Sequence, residues 1–246
     1  MHSYKPAPDL LKQRIILVTG AGDGIGAAAA KAFANHGATV ILLGRNTRKL
    51  EKIYDEIEQK SGPQPGLATF DLEKASHEQY LELADLLAKE FGHLDGILHN
   101  AGLLGTLTPL AQYDLKQWAQ LMQVNLHAPY LLTRAMLPLL KKSADASVLF
   151  TSSGVSQKGR AYWGAYAITK AAADNMMEIW ADELETNTNI RVNSINPGAV
   201  RTAMRARAYP GEDPNTLSRP EEIMSIYLYL MGPDSRGITG KRSNAQ

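Results

Sequence analysis

The sequence predicts an α/β fold, one doubly wound parallel β-sheet flanked by helices on both faces. Three observations carry that prediction. Short apolar, β-branched runs alternate with longer helical patterns, as a chain of βαβ units requires. The runs are compact and largely apolar, as suits strands covered on both faces. A glycine-rich turn joins the first strand to the first helix.

Residues 1–13 contain Pro6, Pro8 and Asp9 before any apolar cluster and read as an N-terminal tail. Strands are expected at Ile15–Thr19, Thr39–Leu43, Leu67–Phe70, Leu94–His99, Ser147–Thr151 and Ile190–Ile195. Helices are expected at Gly24–His36, Arg48–Lys60, His77–Glu90, Leu115–Lys141, Gly164–Thr186 and Pro220–Met231. Gly37, Gly62 and Gly92 stand where C-terminal caps belong. No repeat or linker divides the chain, so residues 1–246 read as one domain. The irregular stretch 201–218 has the composition of a substrate loop or lid.

Composition narrows the function. With 246 residues, 44% of them hydrophobic, the chain can bury a sizeable core. Its 26 Lys and Arg against 25 Asp and Glu leave a net charge of +1, too small a field to suggest nucleic acid or an anionic membrane as a partner. No cysteine is present, which removes disulfide scaffolds, iron–sulfur ligation and thiol nucleophiles. Neither an export signal nor a membrane span is visible in the sequence, and the cytoplasm is the expected compartment. The six histidines form no HExxH pattern, so no metal site is expected.

The turn Thr19-Gly20-Ala21-Gly22-Asp23-Gly24-Ile25-Gly26 runs from strand to helix. Glycines there let the backbone turn tightly and approach a pyrophosphate held by the N–H groups and positive end of the helix. A dinucleotide site then needs a group that reads the adenosine ribose at the end of the second strand, about 20 residues on. That residue is Arg45, and no carboxylate follows it before Glu51. An acid would suit the free hydroxyl of NAD, whereas a guanidinium is a bidentate phosphate ligand and favours NADP.

Tyr166 and Lys170 stand four residues apart on a predicted helix, so both side chains share a face. A tyrosine ordinarily titrates near 10, and a neighbouring ammonium draws it toward the working range of an acid or base. The strand before that helix ends in Ser152 and Ser153, at the sheet edge onto which the glycine turn also opens.

Taken together these pieces resemble the short-chain dehydrogenase/reductase family, and the likeness covers almost the whole chain. It rests on TGAGDGIG at Thr19–Gly26, Asp71-Leu72, HNAG at His99–Gly102, Val124-Asn125, TSS at Thr151–Ser153, YAITK at Tyr166–Lys170 and NPGAVRT at Asn196–Thr202. The stretches ILLGRN, LDGILHNAGLLG and INPGAVRTAMRA are similar to a YciK-like bacterial branch of oxidoreductases. The resemblance implies a catalytic tetrad of Asn125, Ser153, Tyr166 and Lys170. Tyr166 would exchange a proton with the substrate oxygen, Ser153 would hydrogen-bond it, Lys170 would hold the nicotinamide ribose and Asn125 would anchor a water relay. Cofactor contacts implied in the same way are Gly20, Asp23, Gly24, Ile25, Gly26, Arg45, Asp71, Leu72, Asn100, Ala101, Gly102, Tyr166, Lys170, Pro197, Gly198 and Thr202.

The expected function is therefore NADP-dependent reduction of a carbonyl, or oxidation of a secondary alcohol, on a small molecule. A regulator that binds the nucleotide without turnover is the rival class, and the intact tetrad argues against it. Two residues depart from the family's habit. His99 stands where Asn is common, and Asp23 sits in the turn where NADP users often carry a base. Tyr162 and Trp163 could wall a pocket, and Arg201, Arg205 and Arg207 could attract an acidic substrate or simply face solvent. By resemblance, a homodimer or homotetramer through the two long helices is expected.

Overall fold

The structure, a computed structural model, describes residues 4–60 and 62–246. Among the described residues, seven parallel strands form one sheet in the order β3-β2-β1-β4-β5-β6-β7. They are β1 (Ile15–Thr19), β2 (Thr39–Gly44), β3 (Gly66–Thr69), β4 (Gly96–His99), β5 (Ala146–Thr151), β6 (Ile190–Asn196) and β7 (Arg242–Asn244). The strand order reverses between β1 and β4, and at such a switch point a crevice opens beyond the carboxyl ends of the two strands. The predicted doubly wound parallel sheet, a Rossmann-type fold, is observed. The sequence pattern missed β7, a three-residue polar strand with no apolar run to reveal it. Parallel pairing with β6, Ser194 opposite Arg242, recruits it to the edge.

Successive strand residues feed two cores because side chains alternate across a sheet. Ile16, Val18, Val40 and Leu42 face one layer, with α1 (Gly24–Asn35), α2 (Thr47–Glu58) and α8 (Met224–Met231). Leu17, Ile41 and Leu43 face the other, with α3 (His77–Phe91), α5 (Ala128–Leu140) and α6 (Gly164–Glu185). Helix α1 lies close to the sheet through Ala27–Ala30, whose short side chains permit the approach. The segment read as a tail is packed where described: Leu11 is fully buried and its N–H bonds the carbonyl of His36. No helix of the described residues is long and apolar enough to cross a membrane.

Three helix predictions need correction. The second helix ends at Glu58 and is capped by Gln59, so Gly62 lies beyond its cap. The helix predicted from Pro220 begins as a 3-10 turn and becomes α-helical only at Met224. The long helix Leu115–Lys141 is divided into α4 (Leu115–Met122), a π-turn at Gln123–His127 and α5. Pro129 accounts for this: it offers no N–H to the carbonyl of Asn125, and the N–H of Ala128 instead reaches back five residues to Gln123. The predicted loop 201–218 contains a short helix, α7 (Ala203–Ala208), which the side chain of Thr202 caps.

At the opposite end of the strands, buried Asp145 gathers three arginines. Arg191 approaches at 3.1 Å, Arg14 at 3.2 Å and Arg236 at 3.5 Å. Arg191 also donates to the carbonyls of Leu230 and Gly232 and to Ser235 Oγ, which fastens the end of α8 to the sheet.

Candidate active site

The crevice at the switch point is built from backbone that approaches backbone. A Cβ on Gly20 would lie 3.0 Å from the Cα of Ala101, and one on Gly26 would lie 2.3 Å from the carbonyl oxygen of Gly20. Gly20 also has φ +66°, a conformation that favours glycine. Thr19 ties the two strand ends together: its Oγ1 accepts from the N–H groups of Asn100 and Ala101, each at 3.0 Å. Asp23 is the N-cap of α1, accepting from Gly24 N at 2.8 Å, and its other oxygen meets Lys49 Nζ at 2.5 Å. Its carboxylate is thus neutralised by Lys49, which holds its pKa below the usual range. The repulsion that Asp23 would offer a phosphate is correspondingly reduced.

A cleft of 310 Å³ opens beside this cradle and brings together Gly20, Asp23, Gly24, Ile25, Asn100, Ala101, Gly102, Ser153, Tyr166, Lys170, Pro197, Gly198 and Thr202. Gly26 lies behind the turn. Asn125 is one layer deeper, where the π-turn lets its amide clamp the backbone of Leu103 on both sides: Oδ1 accepts from the N–H at 2.8 Å and Nδ2 donates to the carbonyl at 2.9 Å. Arg45, Asp71 and Leu72 stand outside the cleft, at the ends of β2 and β3. Arg45 is 63% exposed, with Glu73 3.7 Å away. Arg48 and Lys49 follow on α2, so the cations gather on this side. Asp71 closes a turn through the N–H of Glu73, and Leu72 is buried in the core.

Helix α6 carries Tyr166, Lys170 and Asp174 as one buried stripe at intervals of four. Contrary to the expectation from the spacing, the Tyr166 pKa moves up and not down: burial raises it, and the hydrogen bond with Ser153, not the Lys170 ammonium, opposes that rise. Lys170 Nζ donates to the carbonyl of Thr151 at 2.7 Å and lies 5.8 Å from the Tyr166 ring centre. Burial lowers its pKa to about 8, opposed by the charge of Asp174. An ammonium has three donors, so with one spent on Thr151 two are left for a ligand. Asp174, which sequence reasoning missed, accepts from Ser152 Oγ and Ser156 Oγ at 2.6 Å each, and this anchors the turn that presents Ser153. The signal was available as a third step of the Tyr166–Lys170 spacing.

Residues of the 201–218 segment, the candidate lid, supply the rest of the wall. Met204, Ala208 and Trp163 pack against the cluster around Tyr166 and Val155. Tyr209 sits 5.9 Å from Trp163, and the Arg205 guanidinium stacks 3.7 Å above the Tyr209 ring. Arg205 is also gripped by Glu212 through two bonds of 2.6 Å. Of the three arginines in question, Arg205 is therefore committed to the lid itself, Arg207 lines the cleft, and Arg201 lines a different cavity. That second cavity, 690 Å³ between α1, α2 and the lid, is larger but holds none of the tetrad, and its Lys31 pairs with Glu56 at 2.9 Å. His99 is a core residue: Nε2 meets Thr133 Oγ1 at 2.8 Å, and burial pushes its pKa down to about 3, which keeps the ring neutral.

The family model described as short chain dehydrogenase matches residues 14–213. This chain belongs to the short-chain dehydrogenase family. It is 51% identical over 246 residues to the uncharacterised oxidoreductase YciK of Escherichia coli K12, covering 100% of this chain and 96% of that one. Among solved structures, a chain from Pseudomonas syringae is 55% identical with a TM-score of 0.98, covering 99% of each. A chain from Escherichia coli CFT073, crystallised with NADPH, is 51% identical with a TM-score of 0.95, covering 98% of this chain and 100% of that one.

The buried ammonium of Lys170 has a consequence for stability. Its pKa in the folded chain, about 8, lies below the ordinary 10.5. The unfolded chain therefore binds more protons between those values, and stability climbs with pH across that window. Below about 8 the full cost is present, on the order of 3 kcal/mol at 1.36 kcal/mol per unit. Lys170→Met removes it but leaves the Thr151 carbonyl without its donor, a loss of about 1 kcal/mol. Thermal unfolding at pH 7 should show the variant more stable by roughly 2–8 °C. The gain should shrink toward pH 10, and a variant less stable at every pH would refute the account.

Proposed function

We propose that this protein is an NADP-dependent oxidoreductase that reduces a small carbonyl compound or oxidises the corresponding secondary alcohol, with Tyr166 as the acid or base. One observation carries the reading: the Ser153, Tyr166 and Lys170 side chains border the same cleft as the glycine cradle. The cradle suits a dinucleotide: Gly20 takes a left-handed backbone conformation, and Gly20 and Gly24 offer backbone without side chains to the cleft at the start of α1. Bound NADPH supplies the hydride. The chain's own residues do the rest. Burial keeps the Tyr166 phenol protonated, ready to donate to a developing alkoxide during reduction. Ser153 holds the substrate oxygen beside it, and Lys170 keeps two donors for the nicotinamide ribose. Asn125 fixes the strand-to-loop backbone at Leu103, and the lid excludes water.

NADP is favoured over NAD by the cations at the end of β2 and by the relative crystallised with NADPH. No carboxylate follows Arg45 in sequence before Glu51, while Glu73 stands 3.7 Å away, so a bound 2′-phosphate would take Arg45 from that pair. A fluorescence titration with NADPH and NADH tests this. Arg45→Asp should weaken NADPH binding roughly 10–100-fold, the value of one charge-assisted contact. NADH binding should change by no more than about threefold, and equal losses for both nucleotides would remove Arg45 from the site. Self-association through α5 and α6 belongs to the same reading: Tyr130, Ile168 and Ile179 are exposed there.

A further inference from the structure

The turn Pro197-Gly198-Ala199 follows β6 and borders the cleft. The carbonyls of Pro197 and Ala199 point away from the sheet ladder and meet one side chain instead. Gln246 Nε2 donates to Pro197 O at 2.7 Å and to Ala199 O at 3.2 Å, while its Oε1 accepts from Ser218 Oγ at 3.2 Å. Two carbonyls demand a donor and a hydroxyl supplies one, so the amide orientation follows from the network. Gly198 has φ +74°, and a Cβ there would lie 2.8 Å from Gln246 Nε2. Strand β7 delivers Gln246 to this position: Asn196 Nδ2 donates to Asn244 Oδ1, and Ala245 N donates to Asn196 O.

The same side chain touches the base of the lid. Its two ends meet where Val200 bridges Ser218 and Arg201 N donates to Ser218 O at 2.9 Å. Gln246 thus spans the turn on one side of the cleft and the point from which the lid springs.

We propose that Gln246 is a positioning residue whose side-chain amide pins the Pro197–Ala199 turn to the lid base and so holds the nicotinamide-side wall of the cleft. This rests on the oxidoreductase reading above. The decisive variant is Gln246→Glu, which keeps length and shape but cannot donate and sets a negative charge against two carbonyl oxygens. Gln246→Ala removes the pin, and Arg242→Ala is the control, since it breaks only the exposed Arg242–Glu178 pair on the same strand.

Trypsin cleavage within the lid of the nucleotide-free protein, at Arg205 and Arg207, should quicken roughly tenfold in both Gln246 variants and by less than about twofold in the control. NADPH affinity should fall roughly tenfold, more for Glu than for Ala, as two lost bonds allow. The emission of the NADPH that still binds should move toward that of free nucleotide. Unchanged lid cleavage in Gln246→Glu, or equal effects in the control, would overturn the proposal. If the wild-type protein does not bind NADPH, the oxidoreductase reading fails by itself, and lid cleavage still decides whether Gln246 pins the lid.

Discussion

Replacing Tyr166 with phenylalanine is expected to lower turnover of any carbonyl substrate by about 10²–10⁴-fold, the usual value of a positioned proton donor. Affinity for NADPH should stay within about twofold, because the phenyl ring keeps the packing against Trp163. The loss belongs in kcat, since an interaction made only as charge develops on the oxygen is missing. The pH profile separates this from a packing defect. For wild type, reduction should fall as pH rises and the phenol ionises, while alcohol oxidation should rise over the same range. The phenylalanine variant should lose that opposition. Steady-state assays with a ketone and its alcohol measure both directions, and a variant that reduces as fast as wild type would show that the proton comes from elsewhere.

Asp145→Ala is expected to have the largest effect on stability, about 3–5 kcal/mol of destabilisation. The carboxylate balances Arg191 and Arg14, whose side chains are only 7% and 11% exposed. Removing it leaves two positive charges in a site that cannot solvate them. Burial already works against the charge of Arg191, as the lowering of its pKa shows. Asp145→Asn should lose less, since the amide oxygen can still accept from Arg191. The double variant Asp145→Ala with Arg191→Met should recover part of the loss. Urea unfolding checks this through the midpoint at constant slope. A single-variant loss below about 1 kcal/mol would mean that water or backbone groups already satisfy the arginines. Because the cluster lies at the opposite end of the strands from the cleft, NADPH affinity well below the transition should change little.

Much of the site was legible because its parts are local. The glycine turn, the Tyr166–Lys170 interval and Ser153 at a strand end each lie within one element or one junction, where spacing alone sets geometry. Six of the seven strands among the described residues announced themselves as compact, largely apolar runs, although β6 carries Arg191, Asn193 and Ser194 between its apolar residues. Asp174 lay within reach of the same helical spacing but has no meaning without Ser152 and Ser156 opposite it. The division of the long helix lay within reach of the sequence, because Pro129 has no N–H to offer a carbonyl four residues back, but that the π-turn sets Asn125 against Leu103, 22 residues earlier, did not.

By itself the sequence determined the parallel α/β architecture, the glycine cradle and the helical pairing of Tyr166 with Lys170, because hydrophobic period and backbone sterics act over a few residues. Only the tertiary structure decided the rest. It committed Arg205 to Glu212 and left Arg207 at the cleft, made His99 a neutral core residue, and brought polar β7 to the sheet edge so that Gln246 meets a turn nearly fifty residues away. Those outcomes depend on which surfaces meet when the chain closes, and hydrogen bonds between distant polar groups leave no periodic trace in the sequence.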